Sequence, residues 1–210
     1  MIRIIIADDH PVFREGIRKT ISKEVDLEVV CEAESGEELL SKLNSEDFDL
    51  IVLDVGLPGR SGIDILTDIR KTHPKIPVLI FSMHPEERFA LRAFKAGASA
   101  YLSKEEKAEK LLEAIRTIST GRKYITPTIA EKLANSIDKN FEKAPHENLS
   151  TREFEVMRMI AMGKSVREIA EILSISVNTV NTYRMRVLDK MDFNSNMDLA
   201  YYVIQNKLID

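Results

Sequence analysis

Short apolar runs rich in β-branched residues alternate with segments of helical period over residues 1–121, and this alternation constrains the fold more than any other feature of the chain. It is typical of a parallel sheet covered by helices. The five predicted strands are residues 2–7, 27–33, 48–53, 77–82 and 99–102. The middle runs are continuously apolar, as strands buried on both faces must be. We therefore predict an α/β domain with five parallel strands over residues 1–121.

Local signals mark where the helices of this domain begin and end. Pro11 stands in the first turn of a predicted helix, where the missing N–H of a proline costs nothing. Ser35 and Glu38 have the spacing of a capping box. Gly121 follows the fifth helical segment, where a left-handed residue would end it.

The pattern changes after residue 121. Thr126, Pro127 and Thr128 open another helical stretch to about Asn140, and a polar segment follows. Because the strand signal stops here and the composition shifts, we predict a helical linker over residues 122–145.

Residues 146–210 carry only helical patterns. Ser150 is followed three residues later by Glu153, which is again the spacing of a capping box. A helix at 166–173, a turn at 174–176 and a longer helix at 177–191 follow in order. We predict an all-α domain of four helices that contains a helix-turn-helix.

Composition limits the classes of protein to consider. With 44% hydrophobic and 30% charged residues, the chain has enough apolar material for packed cores. A lone cysteine, Cys31, excludes an intramolecular disulfide, and we expect it in the core. No apolar run approaches the roughly 18 residues of a spanning helix, and the amino terminus lacks a targeting pattern. We expect a soluble, cytoplasmic protein with no membrane contact.

Charged and polar side chains follow four of the five predicted strands. Asp8 and Asp9 come after the first, Asp54 after the third, Ser82 ends the fourth, and Lys104 lies beyond the fifth. In an open parallel sheet, ligands bind beyond the carboxyl ends of the strands. If the strand order is the flavodoxin-like 2-1-3-4-5, the first and third strands are neighbours and three carboxylates meet in one pocket.

Three converging carboxylates need a compensating cation, and an all-oxygen site with an open shell suits Mg²⁺, or Mn²⁺. With that ion and Lys104 offsetting an incoming phosphoryl group, one carboxylate can act as nucleophile and form an acyl phosphate. Ser82 is placed to donate a hydrogen bond to it. Taken singly, an acidic residue after a strand more often caps a helix, and a lysine is more often solvated. The four positions together favour the pocket.

These residues resemble the receiver family over the whole first domain. The matching motifs are Asp8-Asp9, Asp54-Val55-Gly56-Leu57-Pro58-Gly59, Gly62, Ser82, Tyr101 and Lys104. The resemblance implies that Asp54 is the phosphoacceptor and that Asp9, Asp54 and the Gly56 carbonyl bind Mg²⁺, with Asp8 acting through water. It also implies that Ser82 and Tyr101 are a switch pair. The alternative for Tyr101 is a half-buried strand tyrosine without such a role.

Two positions depart from the commonest receiver pattern. Gly56 stands where a larger residue is usual, and Glu105 follows Lys104 where proline is usual. Neither change removes a reacting group. Because glycine has the greatest backbone freedom, we expect Gly56 to loosen the loop that carries the third metal ligand.

The helix predicted at 177–191 has two distinct faces. Helical spacing places Val180, Tyr183, Val187 and Met191 on one face and Asn178, Asn181, Thr182, Met185 and Asp189 on the other. Asparagine pairs with adenine edges, and methyl groups contact thymine methyls, whereas flanking arginines suit phosphates. The predicted DNA contacts are Asn178, Thr179, Asn181, Thr182, Arg184, Met185 and Arg186. By themselves these residues are also compatible with a plain solvated face.

The second domain resembles the LuxR-type helix-turn-helix. The matching segments are Leu149-Ser150-Thr151-Arg152-Glu153, Lys164, Ile169-Ala170 and residues 177–182. Together with a receiver, they place the chain in the NarL/FixJ group by resemblance. This implies a homodimer on a two-part operator, with the helix from about Met197 to Asn206 contributing to domain packing or dimer contact. Asn181 replaces the lysine common in the family, which leaves the operator preference open.

Charge runs against a strongly basic DNA-binding domain. Residues 146–210 contain eight Lys and Arg against nine Asp and Glu, a formal charge of −1. Over residues 174–191 there are three basic residues and one acidic residue, so the positive charge is local. We therefore expect DNA affinity to depend on dimerisation.

The resulting hypothesis is a phosphorylation-controlled transcription regulator that accepts a phosphoryl group from a sensor histidine kinase and binds double-stranded promoter DNA. Its catalysis would be limited to self-catalysed phosphoryl acceptance and slow autodephosphorylation, so we expect no enzyme. One alternative is a phosphorylation-independent DNA-binding regulator with a vestigial pocket. Another is an aspartyl-phosphate phosphatase of the haloacid dehalogenase type. That chemistry needs a second carboxylate two residues after the nucleophile, where this chain has Gly56.

Overall fold

The computed structural model describes residues 1–45, 47–131 and 144–209. The chain divides into two compact units, Met1–Asn135 and Ser136–Asp210. This division falls inside the predicted linker, of which residues 132–143 lie outside the described residues. The predicted extension of the linker helix to about Asn140 lies there too.

A five-stranded parallel sheet forms the centre of the first unit, with the strand order β2-β1-β3-β4-β5. The predicted order is therefore confirmed. The strands are β1 (Ile2–Ala7), β2 (Leu27–Ala33), β3 (Leu50–Leu53), β4 (Val78–Ser82) and β5 (Ala100–Ser103). The first two have their predicted bounds, whereas β3 begins two residues later than predicted. All residues of β3 and β4 are buried, as their apolar runs predict.

Helices follow the five strands of this sheet, one after each strand. They are α1 (Pro11–Ile21), α2 (Gly36–Lys42), α3 (Gly62–Thr72), α4 (Glu86–Lys95) and α5 (Ala108–Ser119), and a short helical segment at 127–131 is α6. Pro11 opens α1 as predicted, and Gly121 is left-handed just after α5 with φ 81°. The Ser35 hydroxyl caps α2 by accepting from Glu38 N–H. The Glu38 carboxylate accepts from Glu34 N–H instead, so only half of the predicted capping box forms.

Side chains on alternate strand positions fill the core between the sheet and the helices α1 and α5. This layer consists of Ile4, Ile6, Ile17, Ile21, Leu27, Leu50, Val52, Leu79, Phe81, Ala100, Leu102, Leu111, Ala114, Ile115 and Ile118. The expectation that Cys31 is a core residue is wrong, because it is only partly buried. Its strand, β2, is at the edge of the sheet, where coverage is incomplete.

Residues 144–209 of the second unit form a 3₁₀ turn (Pro145–Asn148) and the four α-helices that the sequence predicts. These are α7 (Thr151–Ala161), α8 (Val166–Ile172), α9 (Val177–Met191) and α10 (Asn196–Gln205). Each begins after a serine whose hydroxyl accepts a backbone N–H of the first turn, namely Ser150, Ser165, Ser176 and Ser195. This repeated signal explains why the helix starts could be predicted closely.

Helix α7 is the centre of the second unit and packs against α8, α9 and α10. It carries buried charges that are paired: Arg152 contacts Glu155 at 2.7 Å, and Glu153 contacts Lys190 of α9 at 2.7 Å. The Arg158 guanidinium donates to the Leu208 carbonyl at 2.8 Å. Of these contacts, the Glu153–Lys190 pair joins α7 directly to α9. Within the described ranges, every helix is too short or too polar to cross a membrane.

Candidate functional site

The acidic residues meet because β1 and β3 are neighbours in the sheet. The hydrogen-bond ladder continues past the strand ends, where Asp8 N–H donates to Ala33 O at 3.1 Å and Asp54 N–H donates to Ala7 O at 2.9 Å. Both carboxylates are therefore held at the same sheet edge. Asp8 is 2% exposed and Asp54 is 4% exposed.

Lys104 lies between the two buried carboxylates. Its Nζ atom is 2.6 Å from Asp8 Oδ2 and 2.8 Å from Asp54 Oδ2, and its side chain is fully buried. Lys104 N–H donates to Ser82 O at 2.8 Å, which places the lysine just beyond β5 and beside the end of β4. The structure thus brings together three of the residues that the sequence places at separate strand ends.

Burial raises the pKa of the Asp8 carboxyl, and repulsion from Asp54 raises it further. The Lys104 ammonium acts in the opposite direction without cancelling the effect. One buried cation is therefore insufficient for two buried carboxylates. This imbalance favours the binding of additional positive charge in the pocket.

The carboxylates present different oxygens to different neighbours. The Oδ2 atoms of Asp8 and Asp54 face Lys104. Asp54 Oδ1 and Asp9 Oδ1 are buried and have no hydrogen-bond partner among the described residues. One donor atom each from Asp8, Asp9, His10 and Asp54 lies within 4.8 Å of all the others. Unpartnered buried carboxylate oxygens clustered in this way fit a divalent cation.

Three residues near the pocket were not singled out by the sequence analysis. His10 Nδ1 is 2.8 Å from Asp9 Oδ1, and the Phe13 ring centroid is 4.5 Å from Lys104 Nζ. The buried Arg14 guanidinium donates to the Asp8 carbonyl at 2.6 Å and also pairs with Glu32 and Glu34 of the neighbouring segment. The helical pattern of α1 gives no signal for these contacts, because they depend on how its first turn lies over the strand ends.

Ser82 and Tyr101 are both fully buried, so Tyr101 is not the half-buried tyrosine of the alternative interpretation. Ser82 Oγ accepts from His84 N–H at 3.2 Å. Tyr101 Oη donates to the His84 carbonyl at 2.9 Å. The two side chains therefore hold opposite sides of the same residue in the loop between β4 and α4.

Two glycines shape the backbone around Asp54. A Cβ atom at Gly62 would lie 1.9 Å from the Asp54 carbonyl oxygen, so the start of α3 can approach this backbone only as glycine. A Cβ atom at Gly56 would lie 3.3 Å from Asp54 Oδ2, the oxygen that faces Lys104. Gly56 is not among the residues with positive φ, so its role here is close approach rather than unusual backbone conformation.

The two faces of α9 are separated as predicted. Val180, Val187 and Met191 are buried, and Tyr183 is partly buried. The opposite face is exposed and consists of Asn178, Asn181, Thr182, Met185 and Asp189. Met185 is 64% exposed on this face.

Two of the predicted DNA contacts are already engaged inside their own domain. The Thr179 hydroxyl lies 2.8 Å from Ser176 Oγ at the start of α9. Arg184 Nε donates to Asn196 Oδ1 at 2.7 Å, which ties α9 to the start of α10. Arg186 is exposed.

Both units match known families. Residues 4–116 match the family described as response regulator receiver domain, and residues 147–203 match the luxR family of bacterial regulatory proteins. The chain is 34% identical over 211 residues to the response regulator GacA of Pseudomonas viridiflava, with 100% of this chain and 99% of GacA covered. It is 32% identical over 209 residues to the response regulator UvrY of Escherichia coli K12, with 99% and 96% covered.

Solved structures show the same likeness. A LuxR-family two-component response regulator from Aurantimonas is 38% identical with a TM-score of 0.60 and covers 65% of this chain and 98% of its own. The response regulator RcsB in complex with DNA is 26% identical with a TM-score of 0.60, with 96% and 97% covered. These matches exclude the phosphatase alternative. The chain belongs to the response regulators of the NarL/FixJ group, which join a receiver domain to a LuxR-type helix-turn-helix and are not classical enzymes.

Proposed function

We propose that Asp54 accepts a phosphoryl group from the phosphohistidine of a sensor histidine kinase and that this step controls promoter binding by α9. One observation carries the proposal. Asp54 is 4% exposed, its Oδ2 atom contacts a fully buried lysine, and its Oδ1 atom has no hydrogen-bond partner among the described residues. A buried oxygen without a hydrogen-bond partner lowers the stability of the fold, so such an atom is usually kept because it has a functional role.

The transfer exchanges one bond to phosphorus for another. A carboxylate oxygen of Asp54 attacks the phosphorus, the P–N bond to the kinase imidazole breaks, and the imidazole leaves with a proton from solvent. The product is an acyl phosphate. Lys104 Nζ, 2.8 Å from Asp54, offsets the negative charge that arrives. Attack of water on the same phosphorus slowly breaks its bond to the Asp54 oxygen, releases inorganic phosphate and restores the carboxylate.

Asp9, Asp54 and the Gly56 carbonyl would hold Mg²⁺, with Asp8 acting through water. When bound, the ion supplies positive charge that lets the crowded carboxylates accept another anion. The unpartnered oxygens of Asp9 and Asp54 support this assignment. The Oδ2 atom of Asp8 is paired with Lys104, and its Oδ1 atom accepts a hydrogen bond from His10 N–H. An indirect role for Asp8 is consistent with these occupied oxygens.

Ser82, Tyr101 and Lys104 form the response to phosphorylation. Ser82 rotates to donate its hydroxyl to a phosphoryl oxygen, and this rotation breaks the hydrogen bond that it accepts from His84 N–H here. Tyr101 Oη donates to the carbonyl of the same His84. A movement of His84 would therefore change the hydrogen bond of Tyr101. The pair is thereby coupled through one residue of the β4–α4 loop.

DNA binding is assigned to the exposed face of α9. Asn178, Asn181, Thr182 and Met185 have base-reading chemistry, and Arg186 suits a phosphate. Thr179 and Arg184 contribute less directly, since the Thr179 hydroxyl contacts the capping residue Ser176 and Arg184 ties α9 to α10.

Dimerisation is assigned to α10. Leu199 and Val203 are fully buried and pack within the domain. Met197, Tyr201 and Ile204 are 78%, 64% and 61% exposed at helical spacing, which leaves an apolar stripe for a second copy. A dimer would also double the weak local charge of α9 on a two-part operator.

Intact-mass measurement after treatment with acetyl phosphate and Mg²⁺ tests the phosphoacceptor. The parent chain should gain one phosphoryl group, and Asp54→Asn should gain none. Equal adduct formation in both would reject Asp54. A beryllofluoride titration followed by size exclusion tests the alternative of a vestigial pocket, because a regulator of that kind would show no shift towards a dimer.

A further inference from the structure

His10 stands at the edge of the acidic pocket, immediately after Asp9. Its Nδ1 atom is 2.8 Å from Asp9 Oδ1 and 3.4 Å from Asp8 Oδ1. It is one of the four residues whose donor atoms lie within 4.8 Å of one another. The pocket therefore offers an imidazole nitrogen as well as carboxylate oxygens.

The short distance between His10 and Asp9 lacks hydrogen-bond geometry. Asp9 Oδ1 has no hydrogen-bond partner among the described residues even though His10 Nδ1 is 2.8 Å away. The two atoms lie side by side, and the ring nitrogen is not aimed at the oxygen. Adjacent ligands of an octahedral ion with bonds of about 2.1 Å are separated by about 3 Å. The observed spacing is thus that of two ligands of one ion.

Local structure fixes the position of the imidazole. His10 is the residue before the first turn of α1, and its N–H donates to Asp8 Oδ1 at 2.9 Å. The ring meets Phe13 edge-on, with centroids 6.0 Å apart. The His10 side chain is 59% exposed, so a hydrated ion can reach it from solvent.

Asp54 supplies a second and independent indication. Lys104 contacts Asp8 and Asp54 through their Oδ2 atoms. Asp54 Oδ1 is buried without a partner in the described part of the chain. A cation held by the four clustered residues would satisfy unpartnered oxygens of Asp9 and Asp54 and would contact the His10 ring.

We propose that His10 Nδ1 is a direct metal ligand, which makes the pocket a mixed oxygen and nitrogen site for a transition ion such as Co²⁺ or Mn²⁺. The inference rests on the metal pocket of the proposed function and adds a ligand to it. Imidazole nitrogen favours first-row transition ions, whereas Mg²⁺ prefers oxygen ligands. A site made of carboxylates alone also binds transition ions more tightly than Mg²⁺. The test of His10 is therefore how much of the difference between Co²⁺ and Mg²⁺ affinity is lost when His10 is replaced.

Calorimetric titration of the full chain with Co²⁺ and, separately, with Mg²⁺ measures that part. The variants are His10→Ala, His10→Gln and the matched control His73→Ala, a histidine outside the pocket that packs near Phe48. Both His10 variants should bind Co²⁺ about tenfold more weakly or worse, on the scale of a lost ligand contact. Mg²⁺ affinity should change less than about twofold because oxygen ligands dominate it. The control should bind both ions like the parent.

Mn²⁺ provides a direct spectroscopic readout. Electron spin echo modulation from a coordinated nitrogen nucleus should appear in the parent and in His73→Ala and should be absent from His10→Ala. Missing modulation in the parent, or equal loss of Co²⁺ and Mg²⁺ affinity in His10→Ala, would overturn the ligand assignment. In that case Mg²⁺-dependent phosphorylation of Asp54 would still stand. A different result would reject the proposed function itself: Asp54→Asn would then bind Mg²⁺ and form the phosphoryl adduct as the parent chain does.

Discussion

Ser82 and Tyr101 are linked through one residue, because both hydrogen-bond to the backbone of His84. Ser82 accepts its N–H at 3.2 Å, and Tyr101 donates to its carbonyl at 2.9 Å. Ser82 ends β4, and Tyr101 lies on β5, the adjacent strand. A rotation of the Ser82 side chain towards a phosphoryl group would therefore remove a bond to the loop residue that Tyr101 also contacts.

Tyr101→Phe tests this link. Loss of the hydroxyl leaves the His84 carbonyl short of one donor, so the free energy of unfolding should fall by about 1 kcal/mol. Amide hydrogen exchange at His84 should become faster. Tyr124→Phe is the control, since within the described residues its hydroxyl makes a single long contact, 3.5 Å from Glu113. Equal effects of both substitutions on exchange at His84 would contradict the link.

Lys104→Met should destabilise the metal-free chain by about 3 kcal/mol, because it leaves two buried carboxylates without their cation. Urea unfolding measures this. Mg²⁺ should restore part of the loss, since it supplies charge to the same carboxylates. Lys71→Met removes an exposed i,i+3 contact with Asp68 and should cost less than about 1 kcal/mol. Failure of Mg²⁺ to restore any stability would argue against a shared site.

Asp8→Asn should stabilise the metal-free chain at neutral pH. The pKa of Asp8 is raised by burial, so its ionisation opposes folding above that pKa. As the pH falls, the native state takes up the proton first, at the raised pKa, and the unfolded state follows only near the ordinary value of 3.8, so the advantage of asparagine is lost progressively between these two pKa values. Unfolding free energies measured between about pH 7 and about pH 4 follow this change.

Asp68→Asn is the counterpart with the opposite sign. Hydrogen bonds from Lys71 and Arg60 lower the pKa of Asp68, so its carboxylate favours folding above the unfolded pKa and loses that contribution as the pH falls. Because the site is exposed, the loss in Asp68→Asn should be small. If Asp8→Asn also lost stability at neutral pH, the favourable contact of Asp8 with Lys104 would be larger than the cost of burying its charge.

Gly62→Ala should be strongly destabilising. Its Cβ atom would lie 1.9 Å from the Asp54 carbonyl oxygen, and backbone must shift to make room. We expect a loss of about 2–4 kcal/mol and slower phosphorylation. Gly16→Ala is the matched change inside α1, where nothing lies within 4 Å, and it should gain up to about 1 kcal/mol. Thermal unfolding of both variants checks the contrast, which would be refuted by similar midpoints.

The exposed face of α9 can be divided by function. With an operator selected from random DNA, Asn181→Ala should lose about 1–3 kcal/mol of discrimination at one base pair. Arg186→Ala should weaken binding to all sequences and reduce the salt dependence by about one phosphate contact. Arg184→Ala should change binding less directly, through its contact with Asn196. Uniform weakening by Asn181→Ala would show that α9 does not read a base there.

Local patterns predicted the elements, whereas the sheet order was taken from the flavodoxin-like topology of the receiver family that the chain resembles. Continuous apolar runs located β3 and β4, and the Ser150 capping box marked the start of α7. Cys31 was misplaced, because apolar neighbours in sequence do not reveal that a strand lies at the sheet edge. Likewise the Glu38 carboxylate accepts from the N–H of Glu34 and not from the N–H of the capping residue Ser35. Residue spacing alone does not show which of these neighbouring N–H groups it will bind.

The amino-acid sequence by itself determined which charged residues follow which strands, and so which groups share the pocket, because parallel strands end at a common edge. Tertiary structure alone decided that Lys104 takes the Oδ2 atoms of Asp8 and Asp54 and that His10 lies beside Asp9. Those choices depend on side-chain rotamers and on the packing of α1 over the strand ends. Such distances between residues far apart in the chain are set by the packed core and not by local pattern.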